Sequence, residues 1–156
     1  MSIKVSTPSD TEIRISRWFN APRHLVYRAL TDDTILKRWL QPPGFSMTEC
    51  ATDIRVGGVV RFAWKGDAGG GMAITTVLQE VVPDKRIVGR EKFDEAWYPG
   101  EAIVTQELAD DNGGTSLTVT IRYESRAARD GVLKTPMTDS MSEVYDELEK
   151  LLGNLK

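Results

Sequence analysis

"PMTDSMSEVYDELEKLL", residues 136–152, sets its apolar side chains in one stripe. Met137, Met141, Val144, Tyr145, Leu148, Leu151 and Leu152 belong to it, and Leu155 continues it. Successive members stand three or four positions apart or are neighbours on the same face, the spacing of an amphipathic helix. Glu143, Asp146, Glu147 and Lys150 cover the other side. Thr135 suits the cap and Pro136 the first helical position, where its missing N–H would be unpaired in any case. At about 1.5 Å per residue the helix runs roughly 25 Å, enough to cross a whole sheet.

What precedes it is mostly strand. "TEIRISRWF" (11–19) alternates, with Ile13 and Ile15 on one face and Glu12, Arg14 and Ser16 on the other. Two short helices follow. Pro22 opens the first, whose stripe is Leu25, Val26, Ala29 and Leu30. Asp32 and Asp33 favour the start of the second, since negative charge is stabilised at that end of a helix dipole. Ile35, Leu36, Trp39 and Leu40 form its apolar face, and "QPPG" ends it. Six strands are then expected: 45–53, 59–65, 72–82, 86–93, 101–108 and 115–124. "ADDNGG" between the last two is a hairpin signal. The final strand alternates most cleanly, with Leu117, Val119, Ile121 and Tyr123 opposite Ser116, Thr118, Thr120 and Arg122. One dry face and one wet face are what an antiparallel sheet shows. "RIVGREKF" (86–93) has apolar residues on both faces, so the direction of Glu91 is open. "SRAARDGV" ahead of the last helix is a candidate short helical lead-in.

The order is strand, two helices, six strands, long helix. A one-sided sheet must bury its apolar face against something, and the last helix alone is large enough. The expected architecture is α+β: a curved antiparallel sheet of six to seven strands wrapped on the long C-terminal helix, with the early helical pair plugging one end. Residues 1–10 read as a loose arm and 11–156 as one domain.

Composition narrows the function classes. The chain has 156 residues, 40% hydrophobic and 28% charged, with a net charge of -3. Its Lys and Arg are scattered, so no nucleic-acid footprint is expected. No apolar run approaches the roughly 20 residues that cross a bilayer, and the N-terminus lacks a signal-peptide core. One cysteine, Cys50, excludes an internal disulfide and fits a reducing compartment. The reading is cytoplasmic.

Three stretches carry a family resemblance: "FNAPRHLVYRALTDDTILKRWLQPPGF" near the start, "VGGVVRF" after the next strand, and "YESRAARDGVLKTPMTDSMSEVYDELEKLL" at the end. Together they resemble the SRPBCC superfamily of START and birch-pollen-allergen-like helix-grip proteins, most closely its branch of homologues of the heat-shock-protein-90 ATPase activator. The resemblance implies the helix-grip fold over residues 11–152 and a cavity between sheet and last helix. The superfamily includes lipid carriers, hormone receptors and polyketide cyclases, so the fold alone does not fix the role. No chaperone contact is expected from it.

Such cavities are mostly apolar, with a few polar groups that orient a ligand. The candidate lining residues are Trp39, Phe45, Met47, Phe62, Trp64, Ile74, Thr76, Phe93, Trp97, Tyr98, Glu101, Ile103, Tyr123, Met137, Met141 and Tyr145. The plainer alternative is that these side chains fill the core. Trp39 lies either at the cavity mouth or as an anchor of the helix pair. Glu91 or Glu101, if inward, could orient a ligand or move a proton once burial raised its pKa.

Catalytic signatures are otherwise sparse. His24 is the single histidine and starts a short helix. One His and one Cys do not make a zinc site, and "GDAGGGM" lacks the Lys-Ser/Thr of a phosphate loop. No metal, no cofactor and no catalytic residue is assigned. The first expectation is a binder of a small hydrophobic or aromatic molecule, lipid-like or polyketide-like. The alternatives are a polyketide cyclase or aromatase-like enzyme using an inward carboxylate or Tyr, and a co-chaperone-like interaction module. An exposed edge strand leaves homodimerisation open.

Overall fold

A computed structural model describes residues 3–94 and 100–155. Its elements are β1 (Lys4–Ser6), β2 (Glu12–Phe19), α1 (Arg23–Thr31), α2 (Asp33–Trp39), β3 (Phe45–Ala51), β4 (Val59–Gly66), β5 (Gly71–Val82), β6 (Arg86–Phe93), β7 (Ala102–Asp111), β8 (Gly114–Arg122), α3 (Arg126–Leu133) and α4 (Met137–Leu152). The strands form one antiparallel sheet in the order β1-β2-β8-β7-β6-β5-β4-β3. This is the helix-grip architecture.

The strand count exceeds the expected six to seven because the arm is not loose throughout. Lys4, Val5 and Ser6 pair with Ser16, Ile15 and Arg14 and make an edge strand. Three residues carry too little alternation to be read as a strand. The lead-in forms as α3, capped by Ser125, whose hydroxyl accepts from Ala128 N.

Local chemistry explains the joints. Asp32 caps α2 by accepting from Thr34 N at 2.9 Å. Asn112 and Gly113 both have positive φ and close β7 onto β8 in two residues, the backbone an Asn-Gly hairpin turn requires.

The strand registers sort the sheet into two faces. One row across the concave face is Val60, Thr76, Glu91 and Ala102. A second is Leu78, Gly89, Val104, Ile121 and Ile13, and a third is Ile87, Gln106, Val119 and Ile15. On the convex face Val77, Arg90, Ile103, Arg122 and Glu12 stand side by side. The ambiguous strand is thereby resolved: β6 turns Ile87, Gly89, Glu91 and Phe93 inward.

The packed part of the core lies under the C-terminal half of α4. Ile13, Ile15, Phe19, Val26, Leu117 and Leu148 are fully buried there. Arg17 of β2, on the same face as Ile13 and Ile15, is buried too. Its guanidinium lies 4.6 Å from the Phe19 ring centroid and bridges to Asp146 at 3.0 Å and Glu149 at 3.5 Å. These contacts fasten α4 to the edge of the sheet. Its long stem packs as an apolar side chain while its head stays paired.

Candidate functional site

The N-terminal half of α4 is only partly packed: Met137 and Met141 touch the core and also border open space. Between it and the concave face of β4–β8 lies a cavity of about 540 Å³. The volume falls inside the range of roughly 300–1,000 Å³ typical of small-molecule sites. Met137, Ser140, Met141, Val144 and Tyr145 of α4 form its roof; Val60, Phe62, Trp64, Met72, Ile74, Thr76, Leu78, Ile87, Gly89, Glu91, Phe93, Val104, Gln106, Val119 and Ile121 form its floor. Leu30, Leu36, Trp39, Leu40, Pro42 and Phe45 close one side, from the helical pair and the loop after it, and Tyr123, Val132, Thr135 and Pro136 also border the space.

Of the candidate residues, the structure brings eleven to this wall: Trp39, Phe45, Phe62, Trp64, Ile74, Thr76, Phe93, Tyr123, Met137, Met141 and Tyr145. Three are placed elsewhere. Ile103 and Glu101 share the parity of the convex face, and Glu101 Oε2 lies 3.5 Å from Arg90 Nε. Met47 packs against the main core beside a bulge in the β3–β4 pairing. Trp97 and Tyr98 lie outside the described residues. Glu91, whose direction the sequence left open, is on the wall as well, and Gln106, Thr135 and Ser140 are polar wall residues that the sequence did not single out. Counting alternate positions back from Leu117–Tyr123 through the β8, β7 and β6 pairings would have found Glu91 and Gln106, but that needs the register, which one strand does not reveal.

Two aromatic side chains join the packed and hollow parts. Trp39 donates its indole N–H to Ala29 O at 3.0 Å and stacks on Tyr145 with ring centroids 6.1 Å apart. Tyr145 also meets Phe19 edge-on at 5.8 Å. Trp39 therefore both anchors the helical pair and borders the cavity. Trp64 donates to Leu40 O at 2.9 Å, tying β4 to the end of α2.

Glu91 is the chemically distinctive wall residue. What surface it keeps faces the cavity, and the surrounding shell withdraws its carboxyl from bulk water. That burial alone pushes its pKa up to about 7. Among the described residues it has no ion-pair or hydrogen-bond partner. Burial likewise raises the Tyr145 phenol, with Arg17 opposing the shift. A neutral Glu91 donates and accepts hydrogen bonds; an ionised one attracts a cation; near neutrality it passes between the two.

Other sequence candidates for chemistry lie elsewhere. His24 is exposed on α1. Cys50 is buried in β3, and burial raises its thiol pKa. Among the described residues no group of three or more His, Cys, Asp or Glu is placed to hold a metal ion, and no helix is long and apolar enough to cross a membrane.

The family model described as "Activator of Hsp90 ATPase homolog 1-like protein" matches residues 20–153, from the end of β2 to just past α4. The chain belongs to this family. Its fold is shared closely with a crystal structure of a protein from Rhodobacter sphaeroides, 32% identical, TM-score 0.94, covering 99% of this chain and 100% of that one. A protein from Chromobacterium violaceum is 30% identical, with TM-score 0.78 over 92% of this chain and 98% of that one. A more distant likeness, of fold alone, is to DynU16, a protein of the dynemicin biosynthetic locus: 20% identity, TM-score 0.68, 94% of this chain and 48% of that one. No curated protein sequence matches significantly. The SRPBCC-type fold generally holds hydrophobic ligands, which agrees with an apolar cavity at this position.

Proposed function

We propose that this protein binds a small, largely apolar molecule in the cavity between its sheet and α4. The observation that carries the reading is the combination of a 540 Å³ space with walls of Phe, Trp, Met, Leu, Ile and Val, interrupted by few polar groups. Aromatic and Met walls adapt to varied ligand shapes. A cytoplasmic setting belongs to the proposal, supported by the single, unpaired Cys50. Pairing of two copies along an edge strand belongs to it as an option that sedimentation velocity would test.

The test is thermal unfolding against a panel of lipids, flavonoids and polyketides. A ligand that binds only the folded chain raises its apparent stability. The expected result is a rise in Tm with at least one class, lost in Thr76→Phe, which puts a ring into the floor. No rise in the native protein, or a rise that survives Thr76→Phe, overturns the reading.

A cyclase- or dehydratase-like activity is favoured by one observation: Glu91, without a partner among the described residues and with its pKa brought near 7, sits in the wall. A carboxyl poised near the working pH is suited to general acid–base catalysis. This enzyme reading predicts turnover that Glu91→Gln abolishes while ligand binding remains. A sealed and filled core would have favoured the interaction-module reading, and the cavity does not supply one.

A further inference from the structure

The charges bordering the cavity are of one sign. Among its described lining residues Glu91 is the one carboxyl, Tyr123 and Tyr145 are the phenols, and no Lys, Arg or His is present. Residues 95–99, "EAWYP", include no basic side chain either. The cations nearest Glu91 in sequence face away. Arg90 stands on the convex side against Glu101, and exposed Lys92 stands beside Thr75 there. Arg61, also on that side, is held by Asp94 at 2.7 Å and Glu49 at 3.1 Å. Nothing described on β4–β8, α2, α3 or α4 can neutralise an ionised Glu91 from inside the cavity.

A buried charge is tolerated when it is paired. The pairing partner must here come with the ligand. A carboxylate or phosphate ligand would meet no cation and would lie near a like charge, which disfavours anionic lipids. A protonated amine would meet a desolvated carboxylate, and charge-assisted hydrogen bonds of that kind are among the strongest available. Phe93, two residues along β6 on the same face, and Phe62, in the same cross-strand row as Phe93 through Ile74, offer aromatic surface to such a cation.

We propose that the ligand carries a basic nitrogen on an aromatic or otherwise apolar body, and that Glu91 is the residue that selects it. This rests on the cavity being a ligand site. It goes further by naming the ligand's charge.

The test uses three probes of one shape: 2-naphthylmethylamine, 2-naphthylmethanol and 2-naphthoic acid, titrated calorimetrically into the full chain. At about pH 8, where Glu91 is ionised, the amine is expected to bind about tenfold or more tighter than the alcohol, and the acid weakest. At about pH 5 the carboxyl is neutral and the preference disappears. Glu91→Gln loses the preference at both pH values yet keeps alcohol binding, which shows that it folds; Glu91→Asp keeps part of the preference. An alcohol that binds as well as the amine, an acid that binds best, or an amine preference that survives in Glu91→Gln overturns the proposal and leaves the cavity reading standing. Failure of all three probes to bind either protein removes both.

Discussion

Leu148 and Met141 stand two turns apart on the same face of α4, and they meet different surroundings. Leu148 is wholly buried in a close-packed cluster with Ile13, Ile15, Phe19 and Leu117. Met141, roughly 10 Å away along the axis, is half-buried, touching the core on one side and bordering the cavity on the other. The helix is equally apolar at both places, so the helix does not make the difference. The floor does. Beneath the C-terminal half lie branched and aromatic side chains from β2 and β8, with Arg17 clamping Asp146 and Glu149. Beneath the N-terminal half the central row of the sheet offers Thr76, Glu91 and Ala102, with Gly89 in the next row. Short or charged residues at the middle of a concave face leave volume that the helix stripe cannot reach. An apolar stripe thus promises burial against something; it does not say whether protein or ligand supplies the contact.

The largest expected effect separates the two halves directly. Leu148→Ala removes atoms from a filled region, and such truncations cost about 2–5 kcal/mol; about 3 kcal/mol is expected, read by urea unfolding at an unchanged m-value. Met141→Ala enlarges a space already empty, so it costs under about 1 kcal/mol, because the cavity term that inflates core truncations is already present. Equal losses at the two sites would break the comparison and mean that the hollow collapses in solution.

Next in size is a pH effect confined to the hollow half. Glu91 has a folded pKa of about 7 against an ordinary 4.5. The folded state therefore holds its proton where the unfolded state has lost it. Stability from this group is complete below the unfolded value and falls as pH rises toward the folded one. Between about pH 5 and about pH 8 the loss amounts to about 2–3 kcal/mol. Glu91→Gln removes this slope, so the variant gains on the native protein as pH rises. Parallel pH profiles for the two proteins would show that water reaches the carboxyl freely.

The sequence made the frame legible and left its interior unread. Alternation in 115–124 and the stripe in 136–152 identify the sheet's dry face and the helix that covers it, because both patterns have a fixed period. The aromatic and Met residues that border the cavity stand out by type. Register does not, since a one-residue slip turns a strand over. That is why Glu101 and Ile103 were candidates although both lie on the convex face, and why Glu91 stayed undecided in a strand apolar on both sides. Gln106 gave no signal of its own. β1 was missed because three residues contain no pattern, and its strand character comes from its partner β2.

The smallest predicted effect probes the floor itself. A Cβ added at Gly89 would come within 2.4 Å of Thr76 Cγ2 and 3.3 Å of Leu78 Cδ2. In a close-packed core such an intrusion costs about 1–3 kcal/mol. Here the obstacle is the end of a short side chain with empty space beside it, so Thr76 can turn aside. Gly89→Ala is therefore expected to cost about 1 kcal/mol, the low end of that range. Thr76→Ser removes the methyl that would be struck, and the double variant should recover most of the loss, a coupling of about 0.5 kcal/mol or more for residues in contact. A loss of several kcal/mol that Thr76→Ser leaves untouched would place the strain in the backbone. Gly89 would then be present for the close approach of the strands, and the room above it would be a by-product of their curvature.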